Sequence, residues 1–190
     1  MTISRRVFLQ TAAACGALAA CAGKVALAAD AGKSIIIYYS RSGNTDALAQ
    51  MIAAATGAPT LRIDVKEPYA PNYGDMTDIA RDEVRRKARR ELKTVIPDLS
   101  GYDVVYLGSP YWWGSLSVPM ATFLMDHDLQ GKTVYPFITS GSSSPRGALA
   151  RITELCPKAK IGEHFYVPGS DAAGAKADVE AWLKKIGAVK

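Results

Sequence analysis

Ser34-Ile35-Ile36-Ile37-Tyr38-Tyr39 runs directly into Ser40-Arg41-Ser42-Gly43-Asn44-Thr45, an apolar β-rich segment that breaks into a hydroxyl-rich turn containing one glycine. An unbroken run of β-formers suits a strand buried on both faces, as in a parallel sheet. The following Asp46-Ala47-Leu48-Ala49-Gln50-Met51-Ile52-Ala53 carries apolar residues at helical spacing. The turn therefore stands at a helix N-terminus. There the first backbone N–H groups have no intrahelical partner and, with the helix dipole, favour an anion. The hydroxyls of Ser40, Ser42 and Thr45 can donate to phosphate oxygens, and Gly43 lets the backbone come close. The alternative is an ordinary strand-turn-helix with Asn44 or Thr45 as N-cap.

The chain lacks both the G-x-x-x-x-G-K-[ST] loop of nucleoside triphosphate sites and the G-x-G-x-x-G of dinucleotide folds, so the phosphate belongs to something smaller. Ser-x-Ser-Gly-Asn-Thr after a first strand resembles the FMN-phosphate loop of the flavodoxin family. That resemblance implies that Ser40, Arg41, Ser42, Gly43, Asn44 and Thr45 hold the phosphate of FMN.

A chain of 190 residues, 48% hydrophobic and 22% charged, accommodates one α/β domain and a short extension. The extension is N-terminal. Ser4-Arg5-Arg6-Val7-Phe8-Leu9 precedes an alanine-rich apolar stretch reaching about Ala20, the layout of a removable export signal. A spanning helix would need about 20 apolar residues, more than this stretch offers. The paired arginines followed by Phe8-Leu9 resemble the twin-arginine signal, which exports proteins already folded around a cofactor. Two cleavage sites compete. Leu18-Ala19-Ala20-Cys21 resembles a lipoprotein box that would leave Cys21 lipidated and the protein membrane-anchored. Ala26-Leu27-Ala28 suits ordinary signal peptidase. Residues 1–28 are thus assigned to the signal, residues 29–190 to the functional domain, and the location to the periplasm.

Cys15 and Cys21 fall in the leader, so Cys156 is alone in the domain and is expected to pack at a helix end. Loss of Arg5, Arg6 and Lys24 reduces 23 basic residues to 20 against 18 acidic ones, a balance that gives no support to nucleic-acid binding.

Thr60 to Val65 alternates as an edge strand, and Lys66-Glu67-Pro68-Tyr69-Ala70-Pro71-Asn72-Tyr73 is an extended connection whose tyrosines are expected to pack. A charged helix is predicted from Asp75 to Thr94, with Asp82–Arg86 and Glu83–Lys87 spaced for i,i+4 pairing. Its arginines and lysines form either a solvated face or a docking patch for an anionic group, a phosphorylated nicotinamide substrate included.

Tyr102 to Gly108 reads as the third strand, and its exit Ser109-Pro110-Tyr111-Trp112-Trp113-Gly114 places three aromatics in a loop. Loops after strands lie at the surface, so such a cluster suits a large flat apolar ligand. The resemblance makes Trp113 the residue stacked on the flavin ring, with Pro110, Tyr111, Trp112 and Gly114 shaping the pocket. Lys132 to Ile138 is the fourth strand, with an irregularity expected at Pro136. Thr139-Ser140-Gly141-Ser142 follows, small residues whose N–H groups can approach the polar edge of a flavin. Unlike many electron-carrying flavodoxins, residues 139–147 contain no aromatic, so one ring face is left open to a substrate or is covered from elsewhere. A helix at Arg146–Leu155, a last strand at Lys160–Val167 and a helix from Ser170 or Asp171 complete the pattern. Ala175, Val179, Trp182, Leu183 and Ile186 form one apolar face of that last helix. His127, near a helix end, and His164 have no ligand-spaced acids or cysteines and are not assigned a metal.

Five strands alternating with helices predict a flavodoxin-like doubly wound α/β fold with a five-stranded parallel sheet in the order 2-1-3-4-5. The resemblance implies FMN and an oxidoreductase acting on quinones or similar small acceptors. A flavodoxin-type electron carrier serving an exported redox partner is the alternative, and a flavin-free binding module is a third reading. A homodimer is compatible with each.

Overall fold

The structure, a computed structural model, describes residues 33–141 and 144–190. The signal assigned to residues 1–28 and the candidate site residue Ser142 lie outside the described residues. The elements run β1 (Ser34–Tyr38), α1 (Asn44–Thr56), β2 (Thr60–Arg62), α2 (Tyr73–Arg85), β3 (Val104–Trp112), β4 (Ser115–Leu116) and α3 (Val118–Asp126). They continue with β5 (Thr133–Ser140), α4 (Arg146–Leu155), β6 (Lys160–Ile161), β7 (Phe165–Pro168), a 3-10 turn (Gly169–Gly174) and α5 (Lys176–Lys185).

The main strands are parallel in the order β2-β1-β3-β5, with β6 and β7 both on the outer side of β5. This is the predicted 2-1-3-4-5 order. Two features are added to it: the last strand comes in two pieces, and β4 folds back antiparallel on β3.

Alternation along β1 explains why both sheet faces carry helices. Ile35 and Ile37 enter a core with Met76 and Ala80 of α2, Phe123 and Leu124 of α3, and Ile152 of α4. Ile36 and Tyr38 point the other way, onto Leu48 and Ile52 of α1 and Val179, Trp182 and Leu183 of α5. Gly108 lets β3 pass close between neighbours, since a Cβ there would lie 2.7 Å from Tyr38 Cβ and run into the Phe137 ring.

The irregularity expected at Pro136 appears in the neighbouring strand rather than in β5. Gly162 N–H donates to the Val134 carbonyl at 2.8 Å, so alternate residues of β5, Pro136 among them, turn their polar groups to that side. Proline has no N–H to offer, and opposite it the predicted Lys160–Val167 strand breaks between β6 and β7.

The predicted Asp75–Thr94 helix is corrected. It ends at Arg85, where Lys87 takes a left-handed conformation (φ 51°) and the Ala88 N–H returns to the Glu83 carbonyl at 2.8 Å. Helices close this way with glycine far more often than with lysine. Beyond it the chain is extended, and Leu92 bridges to Val65, beyond the end of a β2 shorter than the predicted Thr60–Val65. The expected Asp82–Arg86 and Glu83–Lys87 side-chain pairs are replaced by longer-range ones. Glu83 pairs with Arg90 (2.8 Å), Lys87 with Glu154 (3.0 Å), and Arg89 with Asp126. The last helix also starts later than Ser170 or Asp171, because the 3-10 turn occupies Gly169–Gly174. Cys156 is buried at the end of α4, as expected, and burial pushes its thiol up to about 11.

Candidate functional site

The loops after β1, β3 and β5 share the carboxyl ends of the parallel strands, the position where open α/β sheets bind ligands. After β1, Gly43 adopts φ 92° and its N–H donates to Ser40 Oγ at 3.1 Å, which leaves the Ser40 hydroxyl hydrogen free to donate elsewhere. The first helical bond runs from Ala47 N–H to the Gly43 carbonyl at 2.8 Å. Among the described residues no side chain caps α1, and Gly43, rather than Asn44 or Thr45, is its N-cap. The amides of Asn44, Thr45 and Asp46 are thus the helix-terminal donors, set among the buried Ser40 and Thr45. Uncapped amides beside buried hydroxyls are a donor set that fits a phosphate group.

Thr45 Oγ1 lies 2.9 Å from Thr139 Oγ1, both residues buried, so the loop after β1 is tied directly to the end of β5. Ser140 Oγ lies 3.0 Å from the Tyr166 hydroxyl of β7. Gly169 is packed beside Asn44, where a Cβ would lie 2.6 Å from its Nδ2.

The Arg41 side chain does not turn into the loop. Its guanidinium donates to the carbonyls of Ala70 (3.1 Å) and Pro71 (2.8 Å) on the β2–α2 connection. Asp46, in the first turn of α1, accepts from the Tyr38 hydroxyl and lies 3.7 Å from Arg62. Burial, reinforced by the Asp46 carboxylate, pushes the Tyr38 phenol up to about 12 and keeps it a donor.

After β3 the chain makes a hairpin that the sequence reading missed. Trp112 pairs with Ser115, and Trp113 (φ 48°) and Gly114 (φ 84°) form the two-residue turn. Two consecutive left-handed residues define a type I′ turn, a geometry that favours Asn-Gly and strains a tryptophan. The indole is nonetheless held. Its Nε1–H donates to the Thr77 carbonyl at 2.9 Å, and the Arg81 guanidinium sits 5.4 Å from its ring centre. Trp113 remains 49% exposed, available to a ligand. Strain retained at an exposed aromatic beside a crevice is the pattern of a functional position.

Trp112 faces inward, edge-on to Tyr69 (5.0 Å) and Tyr39 (5.7 Å). Tyr69 is locked in turn, donating to Glu83 at 2.6 Å beneath the Arg90 guanidinium, which stacks 3.7 Å from its ring centre. The hairpin turn is also buttressed from α4, since a Cβ on Gly147 would run into the Gly114 carbonyl.

Tyr111, Trp112, Trp113, Gly114 and Gly141 converge on one cavity of about 400 Å³. Pro110 lies inside the strand, paired with Thr139, rather than on the cavity wall. The opposite wall comes from α2, through Tyr73, Met76, Thr77 and Ala80. These four were not singled out from the sequence as site residues. Tyr73 was expected to pack with Tyr69, yet it is 72% exposed over the cavity. The i,i+4 spacing of Met76 and Ala80 was the available signal in the sequence, because a helix that covers the sheet beside β3 borders the β3 loop.

The fold and crevice define an α/β protein with an uncapped helix N-terminus and an adjoining aromatic-walled cavity. Residues 33–186 match the model of the family described as flavodoxin, and the chain belongs to that family. A solved protein from Bacteroides eggerthii described as a flavoprotein is 29% identical, with a TM-score of 0.71 over 83% of this chain and 99% of that one. A flavoprotein from Lactobacillus acidophilus solved in complex with FMN is 24% identical, with a TM-score of 0.64 over 80% of this chain and 99% of that one, and shares the fold. Over 92 residues, 48% of this chain and 45% of the relative, this chain is 30% identical to an NAD(P)H dehydrogenase (quinone) of Cupriavidus metallidurans. The chain thus spans less than half the length of the curated relatives it matches.

Proposed function

We propose that this protein is an FMN-dependent oxidoreductase that delivers electrons to a quinone or a similar small acceptor. The observation that carries the reading is the uncapped N-terminus of α1 with its buried hydroxyls, tied through Thr45 to Thr139 near the end of β5, whose exit at Gly141 borders an aromatic-walled cavity. FMN is the cofactor of the flavodoxin family, and it supplies the redox chemistry when bound.

The residues of this chain bind and orient it. Ser40, Ser42 and Thr45 donate to the phosphate together with the amides that open α1, and Thr139 supports Thr45 by donating to its oxygen. Trp113 offers a ring face, Trp112 and Tyr111 shape the wall, and the backbone at Gly141 meets the polar ring edge. The loop after β5 brings no aromatic among its described residues, so on this reading the space beside Tyr73 takes the acceptor. Similarity to quinone dehydrogenases supports a small acceptor over a protein partner. On the same reading residues 1–28 export the folded protein. Mass spectrometry of the protein recovered from each cell fraction tests this: an N-terminus near Ala29 places signal peptidase there, a lipidated Cys21 makes it a lipoprotein, and recovery only from the cytoplasm with the leader intact rejects export.

Purified protein should retain a flavin spectrum after addition of FMN and removal of the excess, and should turn over a quinone with a nicotinamide donor. Absence of flavin rejects the reading. Bound flavin with no quinone turnover but fast exchange with a redox protein would assign it as a carrier.

A further inference from the structure

A second cavity, of about 540 Å³, opens on the other side of the β2–α2 connection, with Tyr39, Ser40, Arg41, Arg62, Asp64 and Lys93 on its wall. Its charges are unequal. Arg62 is offset by Asp64 (3.3 Å) and Asp46 (3.7 Å) and also donates to the Ser40 carbonyl (2.9 Å). Arg41 is held by two neutral carbonyls, and neither it nor Lys93 has a carboxylate partner among the described residues. Elsewhere in the basic run, Arg81, Lys87, Arg89 and Arg90 are paired with acids, and Arg85 and Arg86, without a carboxylate partner among the described residues, do not line this cavity. The extended course of residues 88–94 is what brings Lys93 here, because its backbone N–H donates to the Asp64 carbonyl at 2.8 Å.

Two cations without carboxylate partners, Arg41 held by backbone carbonyls and Lys93 exposed, match the charge of a phosphate monoester dianion. The two cavities share a partition. Tyr39 and Tyr69 wall this one and meet Trp112 edge-on, and Trp112 walls the ring cavity. A long ligand with one end at the ring can therefore place an anionic group beyond the partition.

We propose that this cavity is a phosphate-monoester subsite that seats the 2′-phosphate of a phosphorylated nicotinamide donor. The proposal rests on the oxidoreductase reading for the identity of the donor, whereas the anion site itself stands on the cavity and its two unpaired cations. FMN occupies the α1 terminus, so a second phosphate bound by flavin-loaded protein must lie elsewhere.

The test is calorimetric titration of the FMN-loaded protein with 2′-AMP, with adenosine and inorganic phosphate in parallel, repeated on Lys93→Ala. Retained FMN reports an intact fold in the variant. Binding of 2′-AMP but not adenosine is expected, weakened by added salt and reduced about tenfold in Lys93→Ala through loss of one charge-assisted contact. No binding of 2′-AMP, or equal affinity in Lys93→Ala, overturns the proposal. Inorganic phosphate binding as tightly as 2′-AMP overturns the donor assignment. Failure to retain FMN would instead reject the flavin reading. The same titration on flavin-free protein then decides the subsite, since only Lys93-dependent binding belongs to this cavity.

Discussion

Replacing Thr139 with valine isolates the contact that joins the loop after β1 to the end of β5. Thr45 and Thr139 are 1% and 3% exposed, with their hydroxyl oxygens 2.9 Å apart. Thr139→Val keeps the shape and removes one partner, so the Thr45 hydroxyl is left in a buried position without its bond. Stranding a buried hydroxyl costs about 1–3 kcal/mol, whereas replacing both partners by isosteric apolar groups is nearly neutral. Taking about 2 kcal/mol, the single variant should melt about 4–8 °C lower in the flavin-free protein. Thr45→Val/Thr139→Val should recover most of that loss, with a coupling of at least about 1 kcal/mol between the sites. FMN affinity should move differently. Thr45→Val and the double variant both lose a phosphate donor, so the double variant regains stability without regaining flavin. Urea unfolding followed by circular dichroism measures the first quantity and quenching of FMN fluorescence the second. Strictly additive stabilities would refute the argument, because the pair would then contribute nothing as a pair.

Trp113→Asn should relax the type I′ turn, holding or raising stability, while weakening FMN by about 1–3 kcal/mol if the indole stacks as aromatics do on bases; unchanged flavin affinity in a titration would displace the ring from this residue. His127 packs on Phe123 with ring centres 5.1 Å apart, and burial lowers its pKa below the usual 6.5. The unfolded chain then binds more protons, so its contribution is full above about pH 6.5 and is lost as pH falls toward the folded value. Urea midpoints across that range should show a slope that His127→Phe reduces. Gly147→Ala drives a Cβ into the Gly114 carbonyl and should destabilise the hairpin and flavin binding together, read by melting and by FMN titration, with retained affinity counting against the buttress. Cys156, with its thiol pushed up to about 11, should resist a thiol reagent at pH 8 until the protein is unfolded.

The parallel core was legible because β1, β3 and β5 are apolar runs punctuated by glycine or small polar residues, and α1, α3 and α4 follow with helical spacing. What escaped was set by contacts between distant residues. The charged segment beyond Arg85 has good helix formers and correctly spaced acids, yet Glu154, Asp126 and Asp64 draw it out of the helix. A signal was present: residues 88–96 alternate strictly between half-buried and exposed, and in sequence Leu92, Thr94 and Ile96 already show that period of two. The hairpin at Trp113-Gly114 was hidden because a tryptophan occupies a turn position normally given to asparagine. The loop after β1 was readable as a motif, but the outward course of Arg41 was not, since it depends on two carbonyls from another connection. The α2 wall of the aromatic cavity had only the i,i+4 spacing of Met76 and Ala80 as a signal, and its place beside β3 is set by packing.

The missing N–H of Pro136 has a consequence for solubility. It leaves one border of the sheet as a two-residue strand and a four-residue strand, and the opposite border, β2, is only three residues long with Arg62 upon it. Among the described residues neither border presents a long flat row of donors and acceptors on which a second chain could template, so the apolar parallel strands at the centre are shielded from edge-to-edge aggregation.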